Sequence, residues 1–583
     1  MNAAFEKNGG DIVASVLKAQ GVEHLFTLCG GHISPILVSS RREGIRVVDC
    51  RDEVAAAFAA DAVARMTGIP GVVAVTAGPG LTNTITAIEN ALLAQSPIIL
   101  IGGATATILK GRGALQDIDQ MALMRPAVKA AFAVKRVRHI GPTMEEAFRI
   151  ALDGVPGPVF VEIPVDLLYG EKTIREWYVK EAGSGKSLAG RVQALYVQQH
   201  LFRVFRDKAS FRASPPHPLD PMEPRRVDLE AAAELLAKAE RPALVVGSQT
   251  LARPQEAGAI AAAIRKLGVP TWLGGTARGL LGRSDAAQYR HNRGKALKKA
   301  DVVIVTGFPF DFRMGYGWKI NPAAKIVTVN RCKADLTRNR KPTLPVHGDA
   351  GRFLQILAQL VPEGTSSRWS GWAELLRADE AARDAEIVTM SAEPNEHVHP
   401  VDLALQIEER MEDDSVLVVD GGDFVATMAY VLRPRRPLSW LDPGVFGTLG
   451  VGGGFAVGAA CVRPDAEVWL LYGDGASAYS LAELDTLARH GLRVIAVIGN
   501  DGSWQQIARD QVTLLGDDTG TVLRRNDYHV VAEGYGAKGL LLQRPADVPA
   551  VLDEAKRLAR AGHPVVINCW IGKTSFREGS ISI

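Results

Sequence analysis

Cysteine is scarce in this chain. There are five in 583 residues (Cys29, Cys50, Cys332, Cys461 and Cys569), with no CxxC pair and no zinc-type spacing. That excludes a disulfide framework and a cysteine-built metal site, and it predicts reduced thiols in a cytoplasmic protein. No run of about 20 apolar residues is present, so no membrane-spanning helix is expected. The opening MNAAFEKNGG has no basic-then-apolar leader, so no signal peptide is expected either. An excess of one charge is also missing. The 67 basic and 64 acidic residues leave a net +3, too little for a dedicated nucleic-acid binder.

What is present is a balance of 47% hydrophobic and 22% charged residues, that of an ordinary globular protein. The length exceeds one core and predicts roughly three or four domains. Apolar runs end in Gly, Asp or Pro and are followed by Ala/Leu/Glu-rich stretches, the alternation of parallel α/β domains. A first block, residues 1–175, has strand candidates at 72–78, 97–103 and 156–164. A second, 228–365, has them at 242–249, 301–307 and 325–330. A third, 398–583, has them at 415–422, 467–475, 493–501 and 564–572.

Residues 366–397 read as a linker, and 176–227 as an insert. Within the insert, RASPPHPLDPMEPRR (212–226) is too Pro-rich for a regular element. LAGRVQALYVQQHLFRVFR (188–206) could form an amphipathic helix with basic residues. It suits packing on a neighbouring domain or subunit, with a membrane surface as the alternative. GSGKS (183–187) is not a P-loop, because Lys180 stands where the first glycine of GxxxxGK[ST] belongs.

The chemistry concentrates in the third block. LLYGDGASAY (470–479) ends an apolar run in Gly-Asp-Gly, and Leu481, Leu484 and Leu487 follow at helical spacing, with Gly491 placed as a C-cap. A second run then ends in Asn500-Asp501-Gly502. Asp474 and Asn500 thus fall at strand carboxyl ends, where doubly wound sheets bind ligands. A carboxylate and an amide oxygen suit a hard cation such as Mg²⁺. Gly475 lets backbone amides approach a phosphate at a helix start. Asp-Gly and Asn-Asp-Gly are also ordinary turns, so either one alone leaves the question open.

Together, with residues 476–499 between them, they match the fingerprint of thiamine-diphosphate (ThDP) enzymes, and the block resembles their diphosphate-binding domain. Other segments are similar to this family in the same order. SWLDPGVFGTLGVGGGFAVGAA (439–460) resembles the stretch before the fingerprint, with Leu449 as the wedge under the cofactor. VDCRDEVAAAFAADAVARMTG (48–68) places Glu53 on the catalytic glutamate, and TAGPGLTNTITAIENA (76–91) also matches the pyrimidine-binding domain. The resemblance implies three doubly wound parallel-sheet domains: pyrimidine (1–175), middle (228–365) and diphosphate (398–583).

It further implies that ThDP is held by Gly31, Thr76, Pro79, Asn83, Gly447, Thr448, Leu449, Gly473, Gly475, Ala476 and Ser477, and Mg²⁺ by Asp474, Asn500 and Gly502. Glu53 would promote loss of the cofactor's C2 proton through the aminopyrimidine. A dimer or dimer of dimers is implied, with the first domain of one subunit paired to the third of another.

Within the family the chain resembles the branch of acetohydroxyacid synthase, oxalyl-CoA decarboxylase and 2-hydroxyacyl-CoA lyase. The synthase's channel motifs are altered. GALQDID (113–119) keeps Gln116 but has Leu115 for the aromatic, and EIPVDLL (162–168) has Val165 for the lysine. LCGGHISPIL (28–37), with His32 near the reacting carbon as a proton carrier, and the tail GKTSFREGSISI (572–583) look most like the 2-hydroxyacyl-CoA lyases.

Cleavage of a 2-hydroxyacyl-CoA thioester to an aldehyde or ketone plus formyl-CoA is therefore the expectation. The alternatives are acetolactate synthase, oxalyl-CoA decarboxylase and an inactive binding protein. Glu53, His32 and Gln116 are the catalytic candidates. Arg433, Arg435, Arg436 and Arg577 are candidates for the CoA phosphates, with the tail as a lid. The middle domain resembles one that holds ADP or FAD in relatives, and Arg278 and Asp349 fall at plausible nucleotide contacts.

Overall fold

The Val- and Ile-rich runs 71–75, 98–104, 242–246, 302–306, 416–420 and 495–500 are buried along their whole length. A strand covered by helices on both faces needs apolar residues at every position rather than at alternate ones, the signature of a parallel sheet. The computed structural model describes residues 8–182, 188–206 and 211–578, without side chains at 179–182 and 188–190. The GSGKS segment and the last five residues of the tail lie outside the described residues.

The strands form three parallel six-stranded sheets. The first holds β1 (His24–Thr27), β2 (Arg46–Asp49), β3 (Gly71–Val75), β4 (Ile98–Ala104), β5 (Ala130–Ala133) and β6 (Val159–Pro164), in the order β2-β1-β3-β4-β6-β5. The second holds β7 (Pro242–Val246), β8 (Thr271–Leu273), β9 (Gln288–Tyr289), β10 (Val302–Thr306), β11 (Lys325–Asn330) and β12 (Leu344–His347), in the order β12-β11-β10-β7-β8-β9. The third holds β13 (Val416–Asp420), β14 (Trp440–Leu441), β15 (Val468–Gly473), β16 (Ile495–Asn500), β17 (Lys538–Leu542) and β18 (Val565–Trp570), in the order β14-β13-β15-β16-β18-β17. All ten strand candidates read from the sequence are strands here. Chain order reverses between β1 and β3, between β7 and β10, and between β13 and β15. Those reversals are where such sheets open a crevice for ligands.

Two compact units divide the chain. One ends at Leu219, and the other begins at Asp220 and takes in residues 65–68. The first sheet belongs to the former and the other two sheets to the latter. The helix Leu188–Phe205 forms as expected. Its inner face, with Val197, Leu201, Val204 and Phe205, joins the apolar core of the first sheet, while Val192, Leu195, Tyr196 and Phe202 on the same helix are exposed. Residues 211–225 carry no helix or strand, as the prolines predict. The expected linker 366–397 is instead mostly one 22-residue helix, Ser370–Ser391. Its Ala, Glu and Arg are good helix formers, and Trp372, Leu376 and Ile387 bury one side of it. Among the described residues no helix is long and apolar enough to cross a membrane.

Candidate active site

In the first unit the candidates gather at the carboxyl ends of β1 to β4. Glu53 opens the helix Glu53–Thr67 just beyond β2 and is 5% exposed. Its Oε2 accepts a hydrogen bond from Asn83 Nδ2 at 3.0 Å. A Cβ on Gly80 would stand 3.3 Å from Glu53 Oε1 and 2.7 Å from Thr76 Cγ2, so the glycine is what lets this loop approach the carboxylate. His32 Nδ1 lies 3.0 Å from Thr76 Oγ1, and burial lowers the imidazole's pKa, which leaves the ring neutral at pH 7. The backbone of the His32 loop is held by Tyr169, whose hydroxyl donates to the Gly31 carbonyl at 2.9 Å. Pro79 and Asn83 are exposed, and Thr76 is half-buried.

Gln116 adopts a left-handed conformation (φ 62°) and packs its backbone against Gly78, where a Cβ would meet it at 2.9 Å. Leu115 beside it is 84% exposed. The sequence reading missed Gln120, four residues on. Buried, it accepts from Gly78 N at 2.9 Å and donates to the Gly103 carbonyl and to Glu162 Oε2, both at 3.1 Å. It ties the Gly78 turn to the ends of β4 and β6. No local pattern announces this, since its partners are distant in sequence.

In the second unit Asp420, Asp474 and Asn500 stand at the carboxyl ends of three adjacent strands, β13, β15 and β16, around the chain reversal. Asp474 is buried; its Oδ1 accepts from Gly475 N and its Oδ2 from Gly502 N, each at 2.9 Å. Burial, only partly offset by these amides, raises its pKa to about 6. Neighbouring Asp501 is raised to about 7 by burial and then by Asp474. Asn500 is fully buried, with its Nδ2 donating to Asn568 Oδ1 at 3.0 Å and to the Asn526 carbonyl at 3.3 Å. Its Oδ1 is buried with no hydrogen-bond partner.

An orphaned amide oxygen and desolvated carboxylates at neighbouring strand ends are the kind of donors a hard divalent cation satisfies. The Gly502 carbonyl already accepts from Leu523 N at 2.7 Å, and its second lone pair remains for a ligand. Among the described residues no cluster of three His, Cys, Asp or Glu side chains is arranged for a metal. A cation here would therefore rest on amide and carbonyl oxygens besides one carboxylate.

The expected helix after Gly-Asp-Gly is split into a single turn, Asp474–Ser477, and a helix Glu483–Arg489. An anion here meets backbone amides rather than a long helix dipole. Gly473 has nothing within 4 Å of a built Cβ, whereas one on Gly475 would lie 2.4 Å from the Trp504 ring. Ala476 and Ser477 are buried, and Ser477 Oγ donates to the Asp474 carbonyl at 2.8 Å. Leu449 and Thr448 are half-buried and Gly447 is exposed, so Leu449 is not enclosed in the core. Asp420, also missed from sequence, accepts from Gly450 N at 3.1 Å and Gly452 N at 2.9 Å. It fixes the backbone on both sides of the turn that follows Leu449.

Several arginine assignments need correction. Arg435 is buried, with its guanidinium on Glu408 Oε1 at 2.6 Å, and Arg433 pairs with Asp384 at 3.1 Å. Buried Arg435 is not presented to a thioester's phosphates, whereas Arg433 keeps part of its side chain exposed. Arg436 is exposed, and Arg577 is half-buried near Asp423. Arg435→Ala is expected to destabilise the protein by about 1–3 kcal/mol, because it removes the buried partner of Glu408 and leaves that carboxylate the half-exposed Arg283 at 3.2 Å and the Arg433 amide at 2.9 Å. The checks are a fall of several degrees in Tm and an unchanged KM for the thioester. A raised KM at unchanged Tm would return Arg435 to the substrate.

The two middle-sheet candidates are likewise committed elsewhere. Arg278 donates to the Ala429 carbonyl at 2.8 Å and stacks 4.6 Å from the Trp440 ring. Arg290 donates to the carbonyls of Tyr430, Val431 and Leu432 at 2.6, 2.9 and 3.3 Å. The two arginines fasten the end of the helix Asp423–Val431. Asp349 caps the helix Ala350–Leu360 and pairs with Arg331 at 2.5 Å. Phe308 packs on the loops beyond β7 and β8: a Cβ on Gly247 or Gly274 would stand 2.3 or 2.7 Å from its ring. Arg278 and Asp349 thus both place their polar groups on partners within the protein.

Three family models match the chain in the order of its sheets. They are "Thiamine pyrophosphate enzyme, N-terminal TPP binding domain" over residues 7–123, "central domain" over 229–357 and "C-terminal TPP binding domain" over 420–569. The chain is 48% identical to the human protein named "2-hydroxyacyl-CoA lyase 2", covering 100% of this chain and 93% of that one. It is 45% identical to the Caenorhabditis elegans protein of the same name, covering 99% and 92%. With a "Probable acetolactate synthase" of Mycobacterium bovis the identity is 32%, over 96% of this chain and 95% of that one.

Proposed function

The chain belongs to the thiamine pyrophosphate enzymes, and on that premise we propose that it is a carbon–carbon lyase that splits a 2-hydroxyacyl-CoA into an aldehyde or ketone and formyl-CoA. The observation that carries the cofactor assignment is the buried, unpartnered Oδ1 of Asn500, at the end of the strand adjacent to the one that Asp474 follows. We assign Mg²⁺ to Asp474, Asn500 and the Gly502 carbonyl, and the diphosphate to the amides of residues 475–477. When bound, thiamine diphosphate supplies the thiazolium that takes up the electron pair of the broken bond.

The chain's own residues do the rest. Glu53 holds and returns a proton on its carboxylate, oriented by Asn83. Leu449 shapes the cleft, and its backbone is set by the Asp420 clamp. Neutral His32, fixed through Nδ1 to Thr76, takes the substrate's hydroxyl proton at Nε2 as the C1–C2 bond breaks. A proton returned to the former C1 completes formyl-CoA, so the two products together hold every atom of the substrate. Gln116 is assigned to the substrate channel. We assign no nucleotide to the middle sheet, and we infer a homo-oligomer, which size-exclusion chromatography with light scattering tests.

Two observations favour this reading over acetolactate synthase. Identity to the lyases is the greater, and the channel has Leu115 and Val165 where synthases carry an aromatic and a lysine. The deciding experiment gives the protein ThDP and Mg²⁺ with either a 2-hydroxyacyl-CoA or pyruvate. Formyl-CoA from the thioester is the expected product. Acetolactate from pyruvate, with no formyl-CoA from the thioester, would overturn the assignment.

A further inference from the structure

The orphaned oxygen of Asn500 raises a prior question: what makes this amide leave its oxygen, and not its nitrogen, without a partner? An unrestrained carboxamide has two nearly isosteric orientations, and only one offers a lone pair to a cation. The answer lies on β18. Asn568 is fully buried there, and in the sheet register its strand neighbour on β16 is Ile498, two residues before Asn500.

The Asn568 Nδ2 donates to the Asn526 carbonyl at 2.9 Å and faces His529 Nδ1 at 3.3 Å. A carbonyl can only accept, so this contact fixes Asn568 with its nitrogen towards residue 526 and its Oδ1 towards Asn500. That oxygen can in turn meet only a donor, and Asn500 Nδ2 supplies it at 3.0 Å. The Asn526 carbonyl, 3.3 Å from the same Nδ2, adds a second acceptor on that side. Both partners of the Asn500 nitrogen are acceptors. The Oδ1 is therefore driven to the opposite side, where the structure gives it no partner.

We propose that Asn568 is a positioning residue for the metal site: through a chain of amide orientations that starts at the Asn526 carbonyl, it presents the Asn500 oxygen to the cation. This rests on the metal reading given above. Arg525 adds rigidity, since its Nη1 donates to the Asn500 carbonyl at 2.5 Å and its Nη2 to the Ile571 carbonyl at 3.1 Å. The backbone of Asn500 is thereby fixed independently of its side chain. Removing Asn568 should release the amide and leave the strand in place.

The test titrates Mn²⁺ into cofactor-free protein supplemented with ThDP and follows free Mn²⁺ by electron paramagnetic resonance, so no turnover is needed. Asn568→Leu fills the same volume without an acceptor and is expected to weaken Mn²⁺ binding by about 10- to 100-fold, the usual cost of losing an outer partner of a metal ligand. Asn568→Asp, as the neutral acid favoured by full burial, keeps an oxygen facing Asn500 and an O–H donor for the Asn526 carbonyl, and is expected to lose clearly less affinity than the leucine variant. If the leucine variant does not fold, as judged by Tm without metal, Asn568→Ala carries the same comparison.

Equal Mn²⁺ affinity in wild type and the apolar variant overturns the positioning role. So does an equal loss in the Asp and apolar variants, because the acceptor would then not be what counts. A wild type that binds no Mn²⁺, with Asp474→Asn behaving identically, sinks the metal reading itself and is distinguishable from either.

Discussion

Glu53→Gln is expected to lower kcat by about 10²- to 10⁴-fold, the usual contribution of a positioned proton-transfer group. The substitution changes one atom. A glutamine oxygen still accepts from Asn83 Nδ2, as Glu53 Oε2 does at 3.0 Å. Gly80, which could carry no side chain without crowding Glu53 and Thr76, sees the same volume. Fold and cofactor binding should therefore survive, with Tm within a degree or two of wild type on the scale of surface-neutral changes, about 0.5 kcal/mol. What disappears is the carboxylate's ability to hold and release a proton. The readout is single-turnover cleavage of the thioester, together with exchange of the cofactor's C2 proton by NMR. Wild-type turnover in the glutamine variant would remove Glu53 from the mechanism.

The second large effect is on cofactor retention. With ThDP and Mg²⁺ each at about a hundred times its dissociation constant, mass action should stabilise the wild type by about 2.7 kcal/mol or more. Asp474→Asn should gain little or none of this, because it removes the charged ligand while keeping the shape and one acceptor for the amides of Gly475 and Gly502. The variant without cofactor should melt within a few degrees of the wild type, because relief of the buried charge offsets the one backbone amide that loses its acceptor. Burial holds Asp474 up at about 6, so an ionised carboxylate there costs the empty fold free energy that a neutral amide does not. Thermal melts of both proteins with and without ThDP and Mg²⁺ decide it. An equal cofactor-induced rise in Tm in both would contradict the assignment of Asp474.

Much of this could be read from the chain because the informative features are local. Ten strands were visible because residues buried on both faces must be apolar throughout, as in VVAV or IILI. The edge strands β9 (QY) and β14 (WL) were not, since two residues have no period. Asp474 and Asn500 were legible because glycine, acid and amide recur at a family spacing. Asn568 was not: it lies 68 residues from Asn500 and sits inside an ordinary apolar run, PVVINCWIG.

Asp420 was passed over for the same reason, being tied to Gly450 and Gly452 by contacts 30 and 32 residues away. Arg435 was read wrongly because RPRR looks like a solvated or ligand-seeking run. Only the fold shows Glu408, 27 residues upstream, waiting beneath it. Single residues near a motif announce themselves, whereas residues that orient other residues do so only through the sheet.

The Arg278 and Arg290 contacts bear on how far this enzyme can be trimmed. The middle sheet, which holds none of the residues assigned to catalysis, looks dispensable to anyone seeking a minimal catalyst. Yet its two arginines donate to four carbonyls at one end of the helix Asp423–Val431. At the other end of that helix Asp423 pairs with Arg509 of the helix Gln505–Leu515, which follows the Asn500–Gly502 turn. A truncated chain without residues 228–365 would leave those carbonyls bare and one end of this strut unfastened. Its metal turn would be expected to loosen, although no deleted atom lies in the active site. The middle domain would then act as a brace, stiffening a site to which it contributes no atom.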